Sequence, residues 1–257
     1  MSNQEFRIFD AHFHIIDPGF PLIPNNNFIP DYFTVDDYKQ MMSPYLLAGG
    51  AVVSGSFQEY DQKFLLSALE NLGPDYVGVT QLPLSVSDRE IIELKQSGIK
   101  GLRLNIKRGG SEKLKYLKNI ASRVYELAGW HVELYLDSKM LSELHSILLA
   151  LPRISIDHLG MDSVGFDSLL DLVEHGAFVK ASGFGRLDFD IPSALKKIHA
   201  INPAAIMFGT DLPSTRASRP YCHDDFLMII NSLGDEAARQ VFYQNAINFY
   251  NISGNSD

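Results

Sequence analysis

Eight short apolar segments rich in β-branched residues recur along the chain, and most are separated by segments with helical periodicity. The apolar segments, predicted as strands, are residues 8–14, 50–54, 76–82, 101–105, 131–136, 154–158, 177–182 and 205–211. The segments predicted as helices are residues 63–72, 88–96, 113–128, 140–149, 166–175, 192–200 and 236–250. Such an alternation is typical of parallel α/β folds, in which both faces of the sheet are covered.

Eight strands that alternate with helices over 257 residues predict a (β/α)8 TIM barrel, with its active site at the C-terminal ends of the strands. An open doubly wound sheet is the alternative, but the one G-x-G fragment, at residues 183–185, follows a late strand. No linker-like stretch divides the chain, so we expect a single domain over residues 1–257. The Pro- and Asn-rich segment 17–31 predicts a long functional loop after the first strand.

The charge balance argues against polyanionic partners. The chain has 22 basic and 31 acidic residues, a formal net charge of −9. A nucleic-acid binder needs a basic footprint, and an anionic membrane surface repels an acidic protein, so we expect neither partner. Cys222 is the single cysteine and no signal-peptide pattern opens the chain, which favours a cytoplasmic location.

Polar side chains end three of the predicted strands: His12 and His14 the first, His158 the sixth and Asp211 the eighth. Residues two apart in a strand share a face, so His12 and His14 are expected to point together into the barrel mouth. Imidazoles and a carboxylate gathered there can bind a metal or a substrate oxyanion, and a carboxylate can take a proton from water. Singly, each residue has an ordinary structural explanation, such as a hydrogen-bonded core histidine or a helix N-cap.

As a set, these residues resemble the amidohydrolase superfamily, and most closely the amidohydrolase-related branch that contains 2-pyrone-4,6-dicarboxylate lactonase and sugar lactonases. The matching segments are FDAHFHI at 9–15, GIKGLRLN at 98–105, GWHVELYL at 129–136, IDHLG at 156–160, FVKASG at 178–183 and FGTDLP at 208–213. The resemblance spans nearly the whole chain. It implies a hydrolase, most simply one that opens a lactone of a carboxylated or sugar-acid substrate.

The resemblance also implies a role for each catalytic candidate. His12 and His14 would bind a metal or the substrate carbonyl, and His158 would polarise the scissile carbonyl. Asp211 would be the general base that activates water. The candidate substrate-binding residues are Ser56, Arg103, Asn105, Tyr135 and Arg186. A guanidinium matches a carboxylate geometrically, so we expect a small anionic or lactone substrate, with Arg216 and Arg219 adding to a basic rim.

The sequence is consistent with one bound metal ion or with none. Binuclear members of the superfamily carry a carboxylated lysine on strand four, and the segment GLRLN at 101–105 contains none. A single Zn²⁺ on His12, His14 and Asp211 suits the ligands that zinc accepts. The lactonase that this arrangement resembles works without a metal, so one metal and none are both consistent.

Departures from the lactonase pattern leave the substrate open too. Met161 stands where that lactonase has an arginine, and Ser214 stands where a histidine is usual. Part of the recognition of a dicarboxylate is therefore missing, and another carboxylated lactone or an aldonolactone fits as well. Two further functions stay possible: a metal-dependent decarboxylase of the same superfamily, and a non-catalytic barrel that binds carboxylates. The oligomeric state cannot be inferred from the sequence.

Overall fold

The computed structural model of the chain describes residues 5–107 and 115–252. Eight parallel strands form one sheet in sequential order, and helices alternate with them, which makes the fold a (β/α)8 TIM barrel as predicted. The strands are β1 (Arg7–Phe13), β2 (Leu46–Val53), β3 (Tyr76–Thr80), β4 (Ile99–Asn105), β5 (His131–Tyr135), β6 (Ile154–Ile156), β7 (Phe178–Ala181) and β8 (Ile206–Phe208).

The ring of strands closes between β8 and β1 just beyond the end of β8. The backbone N–H of Asp211 donates to the carbonyl of His12 at 2.7 Å, and the N–H of His14 donates to the carbonyl of Leu212 at 2.7 Å. Both bonds involve residues of the two predicted catalytic segments. Closure of the barrel therefore brings these segments together.

Two of the strands end before the site residue that is predicted to close them. The sixth and eighth were expected to reach residues 158 and 211, but β6 ends at Ile156 and β8 ends at Phe208. The reason lies in the backbone: His158 and Asp211 have φ angles of 52° and 61°. The left-handed region breaks a strand and turns the side chain of each residue away from the strand's alternation.

The helices are α1 (Val35–Met42), α2 (Lys63–Leu72), α3 (Asp88–Gln96), α4 (Leu117–Ala128), α5 (Leu141–Leu149), α6 (Phe166–Glu174), α7 (Ile191–Ile201), α8 (His223–Leu233), α9 (Asp235–Arg239) and α10 (Asn245–Tyr250). Residues 113 and 114 of the predicted helix 113–128 lie outside the described residues. Within the described part of that range, the helix begins at Leu117. None of the helices within the described ranges is long and apolar enough to cross a membrane.

The sequence analysis missed α1 and α8. A capping box begins α1, in which the Thr34 hydroxyl accepts from the N–H of Asp37 and the Asp37 carboxylate accepts from the N–H of Thr34. Only Tyr38 and Met42 of α1 are buried, so its apolar stripe is too short for periodicity to reveal. Helix α8 follows the loop after β8, where a single helix was expected before the chain end.

The C-terminal segment covers the N-terminal end of the barrel. A π-helical turn (Gln240–Gln244) joins α9 to α10, within the predicted helix 236–250. The Phe249 ring packs on His131 and Phe178, which begin β5 and β7, at centroid distances of 4.2 and 4.5 Å. The Tyr250 hydroxyl reaches inward and donates to Glu133 at 2.7 Å. The opposite, C-terminal end of the strands stays available for a site.

The long loop after β1 folds beside that open end. Ile16 and Phe33 pair across its base, and the N–H of Ile23 donates to the carbonyl of Phe57 at 2.8 Å. The Arg216 guanidinium lies 4.3 Å from the centre of the Phe28 ring and donates to the carbonyl of Asn25. These contacts fix the loop against the segment that follows β8.

Candidate active site

A buried carboxylate ties β1 to the end of β8. Asp10 accepts from the backbone N–H of His12 at 3.1 Å, from the N–H of Thr210 at 2.9 Å and from the Thr210 hydroxyl at 2.6 Å. The Tyr38 hydroxyl donates to it at 3.2 Å. Burial raises the pKa of Asp10 to about 6, although these hydrogen bonds favour the charged form. Asp10 thereby holds His12 and Asp211 in register.

Three imidazoles face one carboxylate oxygen at the C-terminal end of the barrel. Oδ1 of Asp211 lies 3.8 Å from Nε2 of His12, 3.7 Å from Nε2 of His14 and 3.7 Å from Nε2 of His158. All four residues are buried. Neither Asp211 Oδ1 nor His12 Nε2 has a hydrogen-bond partner among the described residues. The predicted catalytic residues converge, and the gap between them is bounded by unsatisfied polar atoms, which a water or substrate oxygen can satisfy.

The other oxygen of Asp211 is bound by Arg186. Nε of Arg186 donates to Oδ2 at 2.7 Å, and Nη2 lies 2.6 Å from the same oxygen. Burial by itself would raise the pKa of Asp211, but the charge of Arg186 and the facing site histidine His14, through a hydrogen bond, hold it far below its usual range. Asp211 is therefore ionised at neutral pH.

The second ring nitrogen of each imidazole is bound within the protein. His14 Nδ1 lies 2.6 Å from the carbonyl of Val53, so Nδ1 is the donor, because a carbonyl can only accept. His158 Nδ1 lies 2.9 Å from the Ser182 hydroxyl. Burial lowers the pKa of His158 to about 4, so this imidazole is neutral at physiological pH. These contacts orient the rings towards Asp211.

A pocket opens above these groups. Its lining includes every predicted substrate-binding residue together with residues of the loops after β2 and β8: His14, Gly55, Ser56, Phe57, Arg103, Asn105, Tyr135, His158, Arg186, Asp211, Thr215 and Arg216. His12 lies beneath it, fully buried. Of the two arginines expected at a basic rim, Arg216 lines the pocket and Arg219 instead forms an ion pair with Asp225.

Arg103 is bound to the protein as well as facing the pocket. Its Nε and Nη2 donate to Oδ2 of Asp157 at 3.2 and 3.1 Å, and its Nη1 donates to the carbonyl of Ser54 at 3.0 Å. Asp157 immediately precedes His158 in the chain. Arg103 therefore fixes the segment that carries His158 and presents positive charge to the pocket.

The donor spacing of the site fits a divalent metal ion. Ligand atoms of His12, His158 and Asp211 lie within 4.8 Å of one another, and two of them, as noted above, are buried without a partner. Of the predicted ligand set His12, His14 and Asp211, the structure brings His14 close to Asp211 but does not include it in this tight group.

A second group with metal-ligand spacing, His12, Glu133 and Asp157, surrounds the ammonium of Lys180. Lys180 Nζ lies 2.5 Å from Glu133, 3.3 Å from His12 Nδ1 and 3.9 Å from Asp157. A protein cation thus already stands among these groups. Neither Lys180 nor Asp157 is predicted as a site residue, although a lysine inside the apolar segment FVKASG indicates that an acidic partner faces it.

The chain is similar to proteins of a known family. The amidohydrolase family model matches residues 9–252. A 2-pyrone-4,6-dicarboxylate hydrolase from Comamonas testosteroni is 29% identical over 248 residues, which cover 86% of this chain and 81% of that protein.

Solved structures share the fold. A probable 2-pyrone-4,6-dicarboxylic acid hydrolase from Acinetobacter baumannii, with citric acid bound, is 22% identical with a TM-score of 0.81, covering 95% of this chain and 99% of that one. A putative enzyme of the same name from Pseudomonas putida is 24% identical with a TM-score of 0.82, covering 95% and 97%. Since the family match covers nearly the whole chain and the barrel carries the converging His/Asp site, this protein is a hydrolase that belongs to the amidohydrolase family.

Proposed function

We propose that the protein hydrolyses a lactone of a carboxylated or sugar-acid substrate, with Asp211 as general base. The observation that carries the proposal is the gap between Asp211 Oδ1 and the Nε2 atoms of His12, His14 and His158. A water in this gap hydrogen-bonds to Oδ1. A carbonyl oxygen entering from the pocket meets imidazole nitrogens instead of solvent. Base and oxyanion site are thus adjacent, as acyl hydrolysis requires.

In the reaction, the water oxygen forms a bond to the lactone carbonyl carbon while a proton of the water passes to Asp211. The carbonyl π electrons move to its oxygen, and His12 and His158 stabilise the charge that develops there. When the carbonyl re-forms, the ring C–O bond breaks and its electron pair stays on the leaving oxygen. The proton held by Asp211 then passes to that oxygen. The product is the ring-opened hydroxy or oxo acid.

His12, His158 and Asp211 are the residues that would hold a divalent ion. Such an ion, when bound, supplies Lewis-acid polarisation of a carbonyl. The contacts of Arg186 and Arg103 are the same with or without it. Arg186 binds Oδ2 of Asp211 and Arg103 binds Asp157, whereas the gap is bounded by Oδ1 of Asp211.

The charge of the pocket supports an anionic substrate. Arg103, Arg186 and Arg216 all line it, and the nearest acids, Asp157 and Asp211, are each bound to one of these guanidinium groups. A substrate carboxylate that approaches Arg186 competes with Asp211 for the same donors. Part of the Arg186 interaction can then transfer to substrate, which frees Asp211 Oδ2 and strengthens the base. The relatives named for a pyrone dicarboxylate are consistent with a carboxylated lactone.

A titration of released acid at constant pH tests the proposal. The purified protein is given a panel of carboxylated pyrones, other carboxylated lactones and neutral aldonolactones. We expect base uptake with at least one carboxylated lactone, and a higher kcat/KM for it than for its methyl ester. Absence of hydrolysis across the panel, or release of CO₂ from a carboxylated substrate without ring opening, would overturn the proposal.

A further inference from the structure

Lys180 is a fully buried lysine in the middle of β7, and the proposed reaction does not use it. Burial of an ammonium group is costly unless the charge is paired and hydrogen-bonded. Lys180 lies directly behind His12, on the side of the ring away from Asp211, because it approaches Nδ1 while Nε2 faces the carboxylate. Its position suggests a role that acts through His12.

Glu133 is the buried partner of Lys180. Its Oε2 accepts from Lys180 at 2.5 Å, while its Oε1 accepts from the Tyr250 hydroxyl at 2.7 Å and lies 3.0 Å from Nε2 of His131. Burial alone would raise the pKa of Glu133, but Lys180 and His131 lower it to about 2. The carboxylate is therefore ionised, and the adjacent amine is its counter-ion.

The contact between Lys180 and His12 fixes the direction of one hydrogen bond. An ammonium group has three donors and no acceptor, so Lys180 donates and His12 Nδ1 accepts at 3.3 Å. A ring that accepts at Nδ1 has no proton on that atom, so it cannot be an imidazolium and is neutral. A neutral ring that accepts at Nδ1 carries its proton on Nε2.

The alternative tautomer, with the His12 proton on Nδ1, would need Asp157 as its hydrogen-bond acceptor. Oδ1 of Asp157 lies 3.4 Å from His12 Nδ1, and an N–H there would leave Nε2 with a free lone pair. That oxygen has no hydrogen-bond partner among the described residues, so the contact does not form a hydrogen bond. A carboxylate behind a histidine is the partner that prepares the ring for a metal, and Lys180 stands in its place.

We propose that Lys180 is a positioning residue that keeps the His12 proton on Nε2, so that His12 donates a hydrogen bond into the gap and binds a metal less readily. The inference rests on the proposed lactone hydrolysis and gives His12 the donor's part in it. His14 has the opposite arrangement: its Nδ1 donates to the carbonyl of Val53, so a lone pair on this ring can lie only at Nε2. The two histidines of the H-x-H motif are thus held from behind in opposite ways, His12 by a donor and His14 by an acceptor.

Long-range ¹⁵N–¹H correlation spectra of the wild-type imidazoles test the proposal without a mutation in the protein under study. The His12 signals are identified as those missing from His12→Gln. We expect the His12 proton on Nε2 at neutral pH. A His12 proton on Nδ1 would overturn the inference even if the wild type hydrolyses lactones, whereas a protein that hydrolyses none overturns the proposed function whatever the tautomer.

A pair of variants adds a second readout. Lys180→Met combined with Glu133→Gln removes the ammonium without leaving an unpaired buried carboxylate. Tyr250→Phe is the matched control, since it also perturbs Glu133 but leaves Lys180 on His12. In the double variant we expect the His12 proton to move to Nδ1 and Zn²⁺ affinity, measured by calorimetry, to rise about tenfold or more, with the control unchanged. An unmoved proton or an unchanged Zn²⁺ affinity in the double variant would contradict the role of Lys180.

Discussion

Arg186 binds one oxygen of Asp211 and leaves the other to the histidines. Nε and Nη2 of Arg186 lie 2.7 and 2.6 Å from Oδ2, while Oδ1 faces three Nε2 atoms at 3.7 to 3.8 Å. One oxygen of the carboxylate thus forms an ion pair, and the other faces the reaction gap. A substrate carboxylate that binds Arg186 would weaken the ion pair and so raise the basicity of Asp211.

Replacement of Arg186 by Met tests that connection. Without the guanidinium the pKa of Asp211 rises, so the acid limb of the pH profile of kcat/KM should move to higher pH. Loss of a charged hydrogen bond to the transition state should also lower kcat/KM about 10- to 100-fold. Arg123→Met is the control, because Arg123 forms a surface ion pair with Asp88. A raised KM with an unmoved acid limb would show that Arg186 serves binding alone.

The wild-type pH profile is a second prediction. The pKa of Asp211 lies far below its usual range and that of His158 is about 4, so both keep one protonation state above about pH 5. We expect kcat/KM to show no acid limb from Asp211 or His158 between about pH 5 and pH 8. An acid limb in that range that disappears in His158→Asn would contradict the neutral state of His158.

Ser182 should matter through His158. Its hydroxyl lies 2.9 Å from Nδ1 of His158, so Ser182→Ala frees the ring to rotate away from Asp211. We expect kcat/KM to fall about tenfold, as for other groups that orient a functional histidine, with little change in Tm. Ser155→Ala is the matched control, since this buried hydroxyl has no hydrogen-bond partner among the described residues. Equal activity of Ser182→Ala and Ser155→Ala would contradict the orienting role of Ser182.

Asp10 makes a prediction about stability. Its folded pKa of about 6 lies above the ordinary value of 3.8 for an aspartate, so the folded state holds the proton more tightly. The stability that this group contributes is complete below about pH 4 and is lost as the pH rises through 6, by up to about 3 kcal/mol. Asp10→Asn has no such titration. The difference in unfolding free energy between the two proteins, from urea titrations, should shift over that interval, and a constant difference would contradict the pKa of Asp10.

The barrel could be predicted because each strand and most helices leave a local signal. The site could be predicted only in part. The strand-end position of His12, His14, His158 and Asp211 is visible in the chain, as are the pocket arginines. Lys180 was not assigned a role, because its meaning depends on Glu133, which lies 47 residues away in sequence and on a strand not adjacent to β7. Pairing across the barrel interior is a tertiary property that no local pattern records.

The bond between Arg186 and Asp211 was unpredictable for the same reason. The sequence offered Arg186 as a partner for a substrate carboxylate, whereas the structure pairs it with the proposed base itself. Each arginine near a strand end has several acids within reach. Which acid Arg186 binds depends on closure of the barrel and on the left-handed backbone at Asp211.

The most direct test of the central claim is the kcat of Asp211→Asn on the lactone that the wild type hydrolyses, with circular dichroism as the check on folding. Asparagine keeps the shape of the side chain but cannot take a proton from water. The account predicts a loss of about 10²- to 10⁴-fold in kcat in a folded protein. Turnover near the wild-type rate would contradict Asp211 as the general base.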